Sequence, residues 1–122
     1  MILVDTSVWV EHLRVGTPGL VELLEGGVVL MHPFVLGELA CGTLSRRAEV
    51  LALLSRLPPA PRADDAEVLS FIERRALMGR GLGYVDVHLL AAVCLHDTAR
   101  LWTRDRRLAA AAAELGVMAI QE

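Results

Sequence analysis

The chain has 122 residues, a formal charge of −3 and a hydrophobic content of 54% before its ten glycines are counted. That length predicts a single domain, 1–122, with enough chain for a real core. The apolar content exceeds the usual figure of about 45–50% and implies a surface covered by a second copy or another protein. No apolar run approaches a membrane span, and the first residues carry no basic region or cleavage site, so a soluble, cytoplasmic protein is expected. The acidic balance gives no global nucleic-acid signature. All twelve basic residues are arginine, which excludes chemistry that needs a lysine.

Met1-Ile2-Leu3-Val4 has no apolar/polar alternation and predicts a strand buried on both faces, as in a parallel sheet. Asp5 ends it, and Thr6 or Ser7 is expected to cap a helix over Val8 to Arg14. Thr17-Pro18 opens a short helix with Leu20, Val21, Leu23 and Leu24, stopped by Gly26-Gly27. Val28 to Met31 is a second strand. His32-Pro33 begins a helix to about Leu44, and Arg46 to Leu57 forms another. Leu57 to Arg62 holds three prolines and is extended, at most an edge strand. Asp64-Asp65-Ala66-Glu67 is a capping box for a helix with Leu69, Ile72 and Ala76 along its inner stripe.

Gly79 to Gly83 is a flexible loop, followed by a strongly apolar helix from Tyr84 or Val85 to His96. Ala99 to Thr103 is a strand, Arg104-Asp105 a turn, and Arg106 to Leu115 a helix with Leu108, Ala112 and Leu115 inward. Val117 to Ile120 closes the chain as a strand. The pattern is an α/β sandwich around a small, mainly parallel sheet of four or five strands, flanked by about seven helices. Cys41 and Cys94 lie in helical apolar patterns without CxxC spacing and are expected as buried thiols.

Carboxylates stand where the pattern calls for apolar residues or for strand ends. Asp5 and Asp105 each follow a strand, and ligands bind outside the carboxyl ends of parallel strands. Glu38 has Phe34, Val35, Cys41 and Gly42 as helical neighbours, an apolar and small-residue face. Asp86 heads the stripe Leu89, Leu90, Val93. Asp105 and Asp86 also have cap explanations, whereas Glu11, Glu114 and the other glutamates suit solvated faces. Should Asp5, Glu38, Asp86 and Asp105 converge, four like charges would call for a cation. An all-oxygen ligand set selects a hard ion, Mg²⁺ or Mn²⁺, and no HExxH or Cys-His pattern points to zinc.

Leu3-Val4-Asp5-Thr6-Ser7-Val8-Trp9, Glu38 in its helix, Gly83-Tyr84-Val85-Asp86-Val87-His88-Leu89-Leu90-Ala91-Ala92 and Leu101-Trp102-Thr103-Arg104-Asp105 together resemble the PIN-domain family. Within that family the chain resembles the VapC-type toxin ribonucleases of toxin–antitoxin pairs. The resemblance spans nearly the whole chain, in order and at similar spacing. It implies a three-layer PIN-type sandwich and an endoribonuclease whose Asp5, Glu38, Asp86 and Asp105 hold Mg²⁺ or Mn²⁺. Thr6, Ser7 and Thr103 would be polar groups near that site, a small antitoxin the partner and a homodimer the usual assembly. Leu108 departs from the pattern, where an aromatic is common, and is expected to alter packing only.

Arg80, Arg104, Arg106 and Arg107 flank the acids in sequence and are candidates for RNA phosphate contacts. Two other readings are a catalytically silent PIN binding module and an Asp-based phosphoryl-transfer protein. The second usually needs a lysine, and the chain has none.

Overall fold

The computed structural model describes residues 1–119. Its centre is a parallel sheet of three strands, β1 (Ile2–Val4), β2 (Val29–Leu30) and β3 (Arg100–Trp102), in the order β2-β1-β3. Ile2 pairs with both Val29 and Arg100, and Val4 pairs with Trp102. Leu3, Val4 and Leu101 are fully buried, which is why these runs carry no polar alternation. Among the described residues seven helices flank the sheet: α1 (Thr6–Val15), α2 (Pro18–Glu25), α3 (Pro33–Cys41), α4 (Arg47–Leu54), α5 (Asp65–Arg75), α6 (Tyr84–Leu95) and α7 (Arg106–Glu114). None of them is long and apolar enough to cross a membrane.

The sheet has three strands where the sequence predicts four or five. Met31 and Pro59 form a single parallel bridge, as do Leu101 and Met118. Proline cannot donate to a ladder, so the first edge stops after one residue. Of the expected closing strand, Ile120 lies outside the described residues.

α6 is the apolar centre of the helical layers, with every residue from Val87 to Val93 buried. A helix apolar all round must be enclosed, and this one is. Its last turn emerges, however, and Cys94 is exposed, as is Cys41 at the end of α3. Neither is the buried thiol that its apolar sequence context implies. On α5 the buried residues are Val68 and Phe71, while Leu69 and Ala76 face outward. The expected stripe is therefore rotated by about one residue. The Asp64/Glu67 capping box forms as expected. Thr17 occupies the cap position of α2, but its hydroxyl makes no capping bond.

α3 begins at an unusual cap. His32 is fully buried, and its Nδ1 accepts the Phe34 N–H at 3.0 Å. That bond requires an unprotonated Nδ1. Burial, with the charges of His88 and Arg62 nearby, lowers the His32 pKa to about 4. The unfolded chain takes up a proton as pH falls below about 6.5, and the folded chain resists until about pH 4. Stability is therefore complete above the unfolded value and falls through that window, by on the order of 3 kcal/mol. Urea titrations at pH 7, 5.5 and 4 should show this slope. His32→Asn, which keeps a capping acceptor but does not titrate, should flatten it.

Candidate active site at the carboxyl ends of β1 and β3

β1 neighbours β2 on one side and β3 on the other, so the connections diverge at β1 and leave a crevice beyond its carboxyl end. The Asp5 N–H donates to the Trp102 carbonyl at 2.9 Å, which extends the β1–β3 join by one step. That step sets Asp5 beside Thr103. The Asp5 side chain is nearly buried, and both of its carboxylate oxygens accept hydrogen bonds. Oδ1 accepts the Thr6 N–H at 2.7 Å; Oδ2 accepts the Thr103 hydroxyl at 2.6 Å and the Ser7 hydroxyl at 3.0 Å.

The cap of α1 is thus Asp5 itself, and not Thr6 or Ser7 as expected from the sequence. The two hydroxyls serve the crevice instead. Thr6 Oγ1 donates to Glu38 Oε1 at 2.6 Å, drawing α3 to the mouth of the site. Ser7 Oγ accepts the Arg104 N–H at 3.1 Å, and Thr103 Oγ1 accepts the Asp105 N–H at 3.0 Å. The β3–α7 turn is in this way hung on the same two hydroxyls that hold Asp5.

Asp105 caps α7, its Oδ1 accepting the Arg107 and Leu108 N–H groups at 2.9 and 3.0 Å. Leu108 itself is fully buried. Asp86 sits in the first turn of α6, its Oδ2 accepting the Gly83 N–H at 2.9 Å. Its pKa is raised. Partial burial is the largest cause; the negative charges of Asp5, Asp105 and Glu38 add to it, and the Gly83 N–H opposes it. All four sequence-singled acids therefore act on one neighbourhood. Glu38 is exposed at the rim, not turned into the interior.

Among the described residues no group of three or more Asp, Glu, His or Cys side chains is arranged to grip an ion. Asp86, Asp105 and Glu38 each spend one oxygen on a protein donor.

The four arginines divide. Arg80 is paired with Glu114 and Arg104 with Glu11, so two glutamates read as solvated faces neutralise two candidate RNA contacts. Arg106 is exposed. Arg107 lies over Gly81, where a Cβ would come within 2.6 Å of its Nη1 and where φ is +76°. Gly81 supplies both the turn and the room. Sequence reasoning missed the part played by Gly83 and by Asp65, which accepts the Tyr84 hydroxyl at 2.8 Å. The position of Asp65 at the start of α5 gave it an adequate explanation as a helix-start acid.

The PIN domain family model matches residues 2–114. In two strains of Mycobacterium tuberculosis, a protein named Ribonuclease VapC32 is 53% identical to this chain over 122 residues, covering 100% of this chain and 98% of the relative.

Two outcomes test the geometry. Thr103→Val removes a hydroxyl bound to a nearly buried carboxylate and should cost about 1.5–3 kcal/mol in urea unfolding. Asp86→Asn should be more stable than the parent at neutral pH, because a raised carboxyl pKa means that folding disfavours the charge. That advantage should vanish below about pH 4, where the carboxyl is protonated in both states. Thermal melts across pH 3–8 would show it.

Proposed function

The chain belongs to the PIN domain family, and from that premise we propose that it is a divalent-metal-dependent endoribonuclease, the toxin of a toxin–antitoxin pair. The relatives' printed name supports the ribonuclease reading. The observation that carries it here is the set of four carboxylates whose charges meet at Asp86, outside the sheet's switch point. Acids so crowded are relieved by a cation, and oxygen donors alone favour Mg²⁺ or Mn²⁺. Asp5, Glu38, Asp86 and Asp105 would hold it. When bound, such an ion supplies charge neutralisation at a phosphate and lowers the pKa of water.

The chain's own groups do the rest. Three donors hold the Asp5 carboxylate in one orientation, so it is the fixed reference of the site. Ser7 and Thr103 keep the Asp105 turn in register with it. Arg106 and Arg107, exposed at the start of α7 beside Asp105, would contact RNA phosphates. Arg80 and Arg104 would first have to leave their glutamates. Hydrolysis by a water in line with the scissile bond would leave a 5′-phosphate and a 3′-hydroxyl. An antitoxin would cover apolar surface such as Val10, Leu13 and Val15, which α1 leaves exposed. A homodimer would cover more of the apolar excess.

Purified protein incubated with total RNA in Mn²⁺ or Mg²⁺ should cut it, and EDTA should abolish cutting. Asp86→Asn should lower the rate by about 100-fold or more, at or beyond the range for losing a residue that only supports a metal ligand. Metal binding with no cleavage of any RNA would favour a silent binding module instead.

A further inference from the structure

The loop between α5 and α6 is strapped to α7 at two points. Arg80 of the loop pairs with Glu114 at the end of α7, and Arg107 of α7 reaches back across Gly81 of the loop. A Cβ at Gly81 would stand 2.6 Å from Arg107 Nη1, 2.8 Å from its Cδ and 3.0 Å from its Cζ. Both the stem and the guanidinium therefore occupy space that any other residue at Gly81 would take. Gly81 also has a φ of +76°, so the turn and the seat call for the same residue.

Arg107 is anchored at its other end as well. Its backbone N–H donates to Asp105 Oδ1 at 2.9 Å, in the first turn of the helix that Asp105 caps. Gly81 in turn stands two residues before Gly83, whose N–H bonds the Asp86 carboxylate at 2.9 Å. Two residues span at most about 7 Å, so the seat lies close to the anchor of Asp86. One arginine thus runs from the segment that carries Asp105 to the segment that leads into Asp86.

Its charge is uncommitted. The guanidinium makes no ion pair or hydrogen bond among the described residues, whereas Arg80 and Arg104 are paired with Glu114 and Glu11. An arginine side chain carries about 2 kcal/mol of rotamer entropy, and one already ordered on Gly81 loses less of it on binding an anion. A guanidinium held in this way can meet phosphate oxygens with two parallel N–H groups.

We propose that Arg107 is a phosphate-binding arginine of the RNA site and that Gly81 is its positioning residue, holding the guanidinium beside the acid crevice. The proposal rests on the ribonuclease reading of that crevice. Its test is steady-state cleavage, in Mn²⁺ and at several salt concentrations, of a short random-sequence single-stranded RNA bearing a fluorophore and a quencher. Arg107→Ala should raise KM about tenfold, the smaller effect of losing a charged hydrogen bond, and leave kcat within about twofold. It should also lower the slope of log KM against log salt by about 0.7, the share of one single-strand phosphate contact.

Gly81→Asn separates the seat from the turn, because asparagine tolerates a positive φ while its Cβ enters the space of Arg107. It should raise KM in the parent and have no further effect in the Arg107→Ala protein. A role confined to folding the loop would give the same factor in both backgrounds. Arg14→Ala, which removes an exposed arginine in the last turn of α1, should leave KM and the salt slope unchanged. Arg107 is exposed, so its removal keeps the proposal testable if the Gly81→Asn protein does not fold. Parental KM and salt slope in Arg107→Ala would overturn the phosphate contact, and an undiminished effect of Gly81→Asn in the Arg107→Ala background would overturn the positioning role. No Mn²⁺-dependent cleavage by the parent, or cleavage untouched by Asp86→Asn, would instead remove the ribonuclease reading, and the role of Arg107 with it.

Discussion

The arrangement depends on the step by which β1 and β3 are joined past their last paired residues. Asp5 N–H bonds to the Trp102 carbonyl, and Thr103 Oγ1 bonds back to the Asp5 carboxylate. A nearly buried carboxylate is tolerable only with donors on it, and here three are supplied within two short segments. Because Ser7 and Thr103 also accept the backbone N–H groups of Arg104 and Asp105, satisfying Asp5 shapes the β3–α7 turn as well. One network thus links strand pairing, the start of α1 and the position of a second acid. Loosening Asp5 would loosen all three.

Rigidity falls off outward from that network. Asp5 is locked by bonds from three residues, Asp105 and Asp86 are tied to N–H groups at the starts of their own helices, and Glu38 holds one hydroxyl from an exposed position.

Much of this was legible because strands buried on both faces write themselves as unbroken apolar runs. Ile2-Leu3-Val4 and Leu101-Trp102 marked their own ends, and hence Asp5 and Asp105. The errors arose where two local solutions were equal and tertiary contacts chose between them. Asp5, Thr6 and Ser7 are all good N-cap types, and Asp5 took the cap while the two hydroxyls went to Glu38 and Asp5. On α5 two apolar stripes lie one residue apart, and packing against α6 selected Val68 and Phe71 over Leu69. Cys41 and Cys94 sit where their helices run past the enclosed part of the core, which an apolar sequence context cannot reveal. The pairing of Arg80 with Glu114 and of Arg104 with Glu11 joins distant segments and has no local signature.

Four crowded acids on a protein of net charge −3 raise the question of what lets the fold tolerate them. Three of the four stand at helix starts: Asp5 caps α1, Asp105 caps α7, and Asp86 lies in the first turn of α6. Each helix presents the positive end of its dipole and its unpaired N–H groups to an acid, worth about 0.3–1 kcal/mol apiece. Repulsion is thereby offset by backbone that the helices leave unsatisfied in any case. Glu38, in the middle of α3, lacks this help, and it is the acid left at the exposed rim where water screens its charge. Asp86 shows the limit of the compensation. Its helix start and the Gly83 N–H do not outweigh burial and three negative neighbours, so its pKa remains raised. The fold holds this group at a net cost, and a cation among the acids would reverse the sign of that cost.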